Sequence, residues 1–452
     1  MSDRNQTDIL IIGAGAAGLM AAAGAARTFE GKGKITLLEK MPRPARKIMI
    51  TGKGRCNFTN AKPWNDFLQH IHPKADFIKS SFYNLNPEKL IELFTDAGME
   101  SVVERGDRAY PSSYKASDVV DTLCKMTNDN GAEIHCGKQV EKCVKTEDGF
   151  VVECSDGQSY TSKAVIICTG GLSYPSTGSD GDGYRFAEGF GHSVRELFPS
   201  LTALVPKGYK TEITDIQDEN IFSTKLRGHI HRSTPLSETG KLLCGNSLKN
   251  IGLTLFADGN EVQTEFGDID FTDGGLEGPI GFKISRKCVA AILHGSKVSI
   301  SIDLKPAVEL DSLSSRISNL FDTICKDRRS VGKPYRERFK VLLGKVIPQS
   351  LIPAFIKSFP NADHKTLAKT LKNWKMEISG YVGYERCVVT AGGINREEIV
   401  PKTLESRLVP GLYFAGEIMD IDADTGGYNL HCAFSTGYLA GISAAKKLAK
   451  DW

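Results

Sequence analysis

The residues of this sequence whose types and spacing fit a chemistry begin with Gly13-Ala14-Gly15-Ala16-Ala17-Gly18, followed 21 residues later by Glu39. In a G-x-G-x-x-G run the first glycine permits a tight turn and the second lets backbone approach a pyrophosphate. The third lets a helix lie close on a strand. Ala16 and Ala17 supply the first N–H groups of that helix, where its positive dipole end faces an anion. Glu39 is placed to accept hydrogen bonds from ribose hydroxyls. The set binds a dinucleotide; it does not itself break bonds.

It works only if neighbouring elements hold it. Ile9-Leu10-Ile11-Ile12 predicts a strand, the Ala-rich run to Arg27 a helix, and Ile35-Thr36-Leu37-Leu38 a second strand ending on the acid. This is a βαβ unit with its context intact. The apolar run carries Asp8 ahead of it and three glycines within six residues, so it is read as neither a membrane span nor a secretion signal. At 452 residues the chain predicts two or three domains. A net charge of +3 points to no particular partner. Eleven cysteines without a C-x-x-C pair or a Cys/His cluster predict a reducing cytoplasm and no metal site.

Other candidate segments lie far apart. Lys40, Arg46 and Lys47 follow the acid and are placed to neutralise phosphate charge. Gly52, Gly54, Arg55, Cys56 and Asn57 mix flexible and hydrogen-bonding residues as a binding loop does. Residues 66–130 read as mostly helical, and 134–167 as strands with Asp-Gly turns that deliver the chain to Thr169-Gly170-Gly171. Residues 200–305 are rich in strands and turns. Residues 307–378 read as helical and basic, with thirteen Lys/Arg against three acids between 326 and 375. No aromatic-interleaved patch is evident there, so this excess is read as a solvated helical surface rather than a nucleic-acid site. Strand-into-glycine texture returns at Thr390-Ala391-Gly392-Gly393 and at Phe414-Ala415-Gly416-Glu417. A discontinuous dinucleotide domain is therefore expected over 1–196 and 382–452, with a β-rich part at 197–306 and a basic helical part at 307–381.

The C-terminal third separates flavin from nicotinamide. The long ribityl–isoalloxazine arm of FAD needs a distant segment to hold it. Gly416 allows approach to the second phosphate, and Glu417 can bond ribityl hydroxyls. Gly426-Gly427, leading into Tyr428-Asn429-Leu430, offers bare backbone and a helix start to the ring. Non-covalent FAD is the expected cofactor.

The segments at 47–60, 169–184, 390–394 and 411–441 resemble those of FAD flavoproteins of the 3-dehydro-bile-acid reductase and aminoacetone oxidase group. The Gly-Arg-Cys-Asn-Phe-Thr-Asn and Thr-Gly-Gly-Tyr-Asn runs carry the resemblance, which covers nearly the whole chain. It implies an α/β fold of the glutathione-reductase type: an FAD-binding Rossmann-like domain with an inserted β-barrel-like domain and a small helical domain. It also implies that Val140 meets the adenine and that Thr169-Gly170-Gly171 pass near the pyrophosphate and ribityl region. In the turn Phe271-Thr272-Asp273-Gly274-Gly275-Leu276-Glu277-Gly278-Pro279, Asp273 stands where histidine is frequent in that group and Glu277 replaces a serine. The resemblance implies an FAD-dependent oxidoreductase exchanging hydride at flavin N5 with a small organic substrate, lying in the gap between the flavin and the inserted domains.

Reduction of an activated C=C bond is favoured, with amine oxidation by O2 as the other direction. No second G-x-G-x-x-G follows a strand, so NAD(P)H is expected only as a transient donor. An RNA-binding or RNA-modifying flavoprotein using the basic helices is the alternative from another class. Cys56 stands without a second cysteine nearby, which excludes a paired-thiol relay. It is read as a packed residue before it is read as an activated thiol.

Overall fold

The computed structural model describes residues 5–211 and 226–450. Residues 212–225 of the expected β-rich part lie outside this range. The chain divides into two compact units, Met1–Phe198 with Val389–Trp452, and Pro199–Val388.

In the first unit the apolar run becomes the strand Gln6–Ile12, with Ile9, Leu10 and Ile11 fully buried. A strand apolar at consecutive positions must be covered on both faces, which is the condition of a parallel sheet. Parallel partners run beside it in the order Ala132–Cys136, Ile35–Glu39, Gln6–Ile12, Ser159–Ile167 and Leu412–Phe414. The strand Ser159–Ile167 divides one edge between two neighbours. Residues 159–162 pair antiparallel with Gly149–Cys154, and 165–167 pair parallel with Leu412–Phe414. The N-terminal and C-terminal thirds of the chain thus share one sheet.

Two helices pack directly on each other over this sheet, Ala16–Phe29 and Tyr428–Ala449. Small residues decide how close they come. A Cβ on Gly437 would lie 2.1 Å from the Ala17 carbonyl oxygen, and one on Gly441 would lie 2.0 Å from that of Ala21. From the other side, a Cβ on Gly24 would lie 2.6 Å from the Tyr438 carbonyl oxygen. The backbones therefore touch where any side chain would hold them apart.

Two stretches differ from their sequence reading. Within 66–130, read as mostly helical, the strands Ser101–Glu104 and Arg108–Pro111 pair with each other, and Arg108–Pro111 also pairs with Thr59–Asn60. The end of the basic stretch is the strand Trp374–Val382. Its flanking charges Lys375 and Glu377 hide the alternation that buries Trp374, Ile378 and Gly380. That pairing is set by distant partners rather than by local propensity.

The second unit is a closed six-stranded antiparallel barrel. Its strands run Leu204–Pro206, Leu276–Glu277, Asn260–Phe271, Ser247–Ala257, Val298–Asp303 and Trp374–Val382, which pairs back onto Leu204–Pro206. Alternate residues Leu253, Leu255, Ile300 and Ile302 point inward and are fully buried. Between the last two strands come the helices Leu310–Lys326, Tyr335–Val346, Ile352–Ser358 and Leu367–Lys372. No helix among the described residues is long and apolar enough to cross a membrane.

The glycine crossing predicts a cost for the smallest substitution. Gly441→Ala adds one methyl against the Ala21 carbonyl and should lower stability by about 1–3 kcal/mol, read by urea unfolding. An unchanged midpoint would show that the helices separate freely.

Candidate functional site

The first half of the site forms where the strands Gln6–Ile12 and Ser159–Ile167 end. Gly13 turns at φ +98°, and a Cβ there would meet the Cys168 carbonyl oxygen at 2.6 Å. A Cβ on Gly18 would lie 1.9 Å from the Gly13 carbonyl oxygen, so the helix start is pressed onto the turn. Gly15 is the contrast: a Cβ built on it meets nothing within 4 Å. The helix Ala16–Phe29 begins there with no side-chain cap and no acid in its first turn. A helix start that lacks an internal acceptor for its first N–H groups is an anion site in waiting.

Glu39 ends the second strand, nearly buried. Its Oε2 accepts from the Ala14 N–H at 2.9 Å and its Oε1 from the Met41 N–H at 2.8 Å. Burial pushes its carboxyl up from the usual range, while those two N–H groups and the nearby Lys40 and Arg46 charges oppose the shift. Two backbone bonds aim the carboxylate at the end of the strand.

The second half is built from the C-terminal third. Gly416, at φ +81°, leaves room for Ala17, whose Cβ would be 2.8 Å from any Cβ there. Glu417 gathers three donors: Ser173 Oγ at 2.6 Å and Thr390 N–H at 2.8 Å on Oε1, and Lys47 Nζ at 3.1 Å on Oε2. Lys47 also donates to Ser173 Oγ at 2.8 Å. A Cβ on Gly171 would enter this knot, 2.6 Å from Thr390 Oγ1. Beside it, Thr169 Oγ1 is buried with no hydrogen-bond partner among the described residues. Gly170 bends the chain at φ +75° between them.

Gly426 and Gly427 both have positive φ, and Gly427 caps the helix Tyr428–Ala449 without a side-chain cap or a first-turn acid. Room for Gly427 is made by the Thr59 carbonyl oxygen, 2.4 Å from where a Cβ would sit. Asn60 Nδ2 donates to the Gly426 carbonyl, and Asn429 bonds both backbone groups of Ala423. Leu430 follows, half-buried in the first turn of the helix.

The remaining sequence candidates divide. Arg46 is exposed and Lys47 half-buried on the short helix Arg46–Ile50, whose left-handed cap Ala45 donates to the Ala14 carbonyl. Lys40 is committed elsewhere, to Asp182 at 2.8 Å and to Asp180. Gly52 and Gly54 adopt the left-handed turns expected of them, and Arg55 lies over the Tyr110 ring at 5.1 Å. Asn57 braces the loop by donating to the Thr59 and Ala109 carbonyls. Cys56 is fully buried, and burial pushes its thiol up to about 12 despite a hydrogen bond with Thr51. The activated-thiol alternative therefore fails: no cation outweighs desolvation there. Val140 is buried at the start of the strand Val140–Thr146. In the second unit, Arg386 joins the two departures in the family turn, bonding Asp273 Oδ1 through Nη1 and lying 3.1 Å from Glu277 Oε1 through Nε.

One cluster has no counterpart in the sequence reading. Asp424 takes His70 Nδ1 at 2.8 Å on one oxygen and His72 Nε2 at 3.1 Å on the other. Burial raises the Asp424 carboxyl, but the bonds to both imidazoles outweigh it and bring the carboxyl down to about 2. The His70 ring stacks on Tyr428 at 4.3 Å. A few residues further, His431 is fully buried between Phe67 and Phe82, with Nδ1 bonded to Thr59 Oγ1. Desolvation holds His431 down at about 3. The available signal was the His70-x-His72 pair itself, which straddles the end of the 3₁₀ turn Leu68–His70 and the strand Ile71–His72.

Residues 7–443 match the family described as HI0933-like protein Rossmann domain. The chain belongs to this family. It is 29% identical over 449 residues to the 3-dehydro-bile acid delta(4,6)-reductase of Clostridium scindens, covering 97% of this chain and 98% of that one. It is 30% identical over 436 residues to the ribosomal RNA dihydrouridine synthase of Escherichia coli, covering 95% and 96%. Among solved structures it resembles the E. coli quinol fumarate reductase at 15% identity, with a TM-score of 0.47, over 99% of this chain and 71% of that one. The 3-ketosteroid-delta4-(5alpha)-dehydrogenase of Rhodococcus jostii is 14% identical, with a TM-score of 0.45 and 98% coverage of both.

A dinucleotide with a long second arm fits these residues. The two uncapped helix starts and the orphaned Thr169 hydroxyl offer donors without side-chain acceptors, and Gly15 leaves open space beside the first.

Two predictions follow from burial. His431 must stay neutral to remain folded, so its contribution to stability is complete above the unfolded value near 6.5 and falls as pH drops toward 3. His431→Phe should flatten the stability curve between those limits in urea titrations; an unchanged slope would place the uptake elsewhere. Cys56 should resist iodoacetamide at pH 8 in the native protein and react on unfolding, as mass spectrometry of the tryptic peptide would read. Modification of the native thiol would contradict its burial.

Proposed function

We propose that this chain is an FAD-dependent oxidoreductase that reduces a C=C bond conjugated with a carbonyl, using NAD(P)H as a transient donor. The observation that carries the flavin reading is the pair of uncapped helix starts at Gly15 and Gly427, on helices locked together by their glycines. A nicotinamide cofactor alone leaves the second start unexplained. The flavin supplies hydride exchange at N5, and the protein supplies position and electrostatics.

Residues at the first helix start, Gly15, Ala16 and Ala17, would hold the pyrophosphate by backbone N–H groups, and Glu39 the ribose. Gly416 would admit the second phosphate. Glu417, with Ser173 and Lys47, would order the ribityl hydroxyls. Gly426 and Gly427 would present bare backbone and a positive helix end to the ring. Thr169-Gly170-Gly171 would line the passage between the two phosphates.

The choice of reaction is supported by the relatives' names. Removing unsaturation at the 4,6 positions of a 3-keto steroid and forming dihydrouridine are the same change. Each C=C reduced, conjugated with a carbonyl, takes up two electrons and two protons, so the dienone needs two such steps and uridine one. The two relatives share one chemistry and differ in substrate size.

The purified protein should be yellow and release about one FAD per chain on acid precipitation. Anaerobic NADH or NADPH should bleach it, and an enone should restore the colour. FMN, or no flavin after reconstitution, would end the reading. Bleaching without reoxidation by any conjugated acceptor would retain the flavin but end the reductase assignment. Glu39→Ala should weaken FAD binding by roughly ten- to a hundredfold, as removal of charge-assisted bonds implies, with the fold retained by circular dichroism.

A further inference from the structure

The cluster of Asp424, His70 and His72 lies beside the proposed flavin site but contributes none of the residues assigned to the cofactor. One carboxylate holds both imidazoles, His70 through Nδ1 at 2.8 Å and His72 through Nε2 at 3.1 Å. Both rings stay partly open, with 20% and 31% of their side-chain surface exposed, against 16% for Asp424. Protons therefore reach the rings from solvent while the carboxylate is largely shielded. The bonds to both imidazoles hold the Asp424 carboxyl down at about 2, so it is ionised at neutral pH.

The cluster is fastened to the start of the helix Tyr428–Ala449. The Asp424 N–H donates to the His70 carbonyl at 2.9 Å, and the strands Ile71–His72 and Asp422–Ala423 pair antiparallel beside it. Asn429 Nδ2, in the first turn of the helix, donates to the Ala423 and Asp424 carbonyls at 2.7 and 3.2 Å. The His70 ring lies on that of Tyr428, the first helical residue, with the planes 24° apart. Other ionisable groups face the same place. Asp422 is buried opposite His72 in the strand pair, and desolvation holds His431 neutral. Tyr428 feels the charges of Asp66, Asp107 and Arg108, and burial raises its hydroxyl out of reach of ionisation. Imidazole is the side chain suited to a change of charge near neutrality.

We infer that His70 and His72 take up a proton when the flavin is reduced, and that Asp424 positions them for it at the helix start. This rests on the flavin reading above. Entry of two electrons and one proton into the ring, delivered together as hydride by NAD(P)H, leaves one negative charge there. A proton drawn from solvent by an imidazole offsets that charge. With both rings neutral the cluster carries the single negative charge of Asp424, and with both protonated it carries one positive charge. Charges act through a shielded site without contact. The two histidines therefore set how readily electrons are accepted, and neither has to touch the reacting atoms.

The test is the midpoint potential of the FAD-loaded full chain across a pH series, read anaerobically against indicator dyes. At about pH 5.5 the double variant H70Q/H72Q lacks the positive charge, and its reduction equilibrium should fall on the order of tenfold, ~30 mV for two electrons. At about pH 9 parent and double variant should converge, since both keep only the carboxylate. There Asp424→Asn removes a negative charge and should raise the equilibrium on the order of tenfold. Opposite signs report charge, whereas a mere loop brace shifts the variants alike or leaves them unmoved. His135→Gln, which removes a histidine paired with Glu133 on the strand Ala132–Cys136, should keep the parent curve. Circular dichroism and flavin absorbance verify each fold. A measurement on the parent alone needs no variant: at about pH 8, photoreduction should take up more protons per FAD than free FAD does, read with a pH-indicator dye. Coincident parent and H70Q/H72Q curves, shifts of one sign in H70Q/H72Q and Asp424→Asn, or proton uptake equal to that of free FAD would overturn the inference and leave the flavin reading standing. A parent that binds no FAD would overturn both.

Discussion

The close crossing of the helices Ala16–Phe29 and Tyr428–Ala449 is the constraint on which the first unit depends. More than four hundred residues separate the sequence positions involved, yet Gly437 and Gly441 let one helix lie against the carbonyl oxygens of Ala17 and Ala21. Once the axes touch, the starts of both helices must fall on the same side of the sheet. Each start lacks a side-chain cap and a first-turn acid, so its first N–H groups have no side-chain acceptor from the cap. The helices that pack through Gly24, Gly437 and Gly441 are the same two whose uncapped starts lie at Gly15 and Gly427.

Around those ends, several carboxylates are held by more than one partner. Glu417 takes a hydroxyl, a backbone N–H and an ammonium. Asp424 divides its two oxygens between two imidazoles, and Arg396 reaches Asp420 at 3.2 Å. A buried carboxylate without such donors would take up a proton instead. These knots also tie together segments that the chain order keeps apart: Lys47 to Glu417, and His70 to Asp424. They hold the glycine loops in shape where regular hydrogen-bonded strands stop.

The legible part of the site was the part fixed by backbone geometry. Gly13 and Gly18 announce themselves because a turn and a packed helix start each demand a residue without a side chain within a few positions. Gly426-Gly427 is legible for the same local reason. The partners of Lys40 were not: a cation after the acid suggests phosphate, and its pairing with Asp182 depends on a loop 142 residues away. The Asp424 cluster was hidden likewise, since His70 ends a 3₁₀ turn and His72 lies on the two-residue strand Ile71–His72, and their common partner is more than 350 residues away. The strand Trp374–Val382 was masked by the basic helices before it, because only its barrel partners, far upstream, decide its conformation. The parallel sheet was legible from consecutive apolar residues, whereas the closure of the barrel depends on a pairing between residues 204–206 and 374–382 that no local pattern marks.

The thiols of the first unit bear on what kind of chemistry the site can host. Burial pushes Cys56 and Cys432 up to about 12, and Cys168 is raised by burial as well. A thiol held so far above neutrality is neither a nucleophile nor a relay. Tyr184 and Tyr428 are likewise raised by desolvation, so neither hydroxyl readily becomes a phenolate. His431 stays neutral for the same reason. Desolvation thus removes the nucleophiles from the neighbourhood of the glycine loops and leaves hydrogen-bond donors, fixed dipoles and partnered carboxylates. Such a set orients a bound group and tunes its charge without forming a bond to it. That is the division of labour expected where the reacting atoms belong to a cofactor.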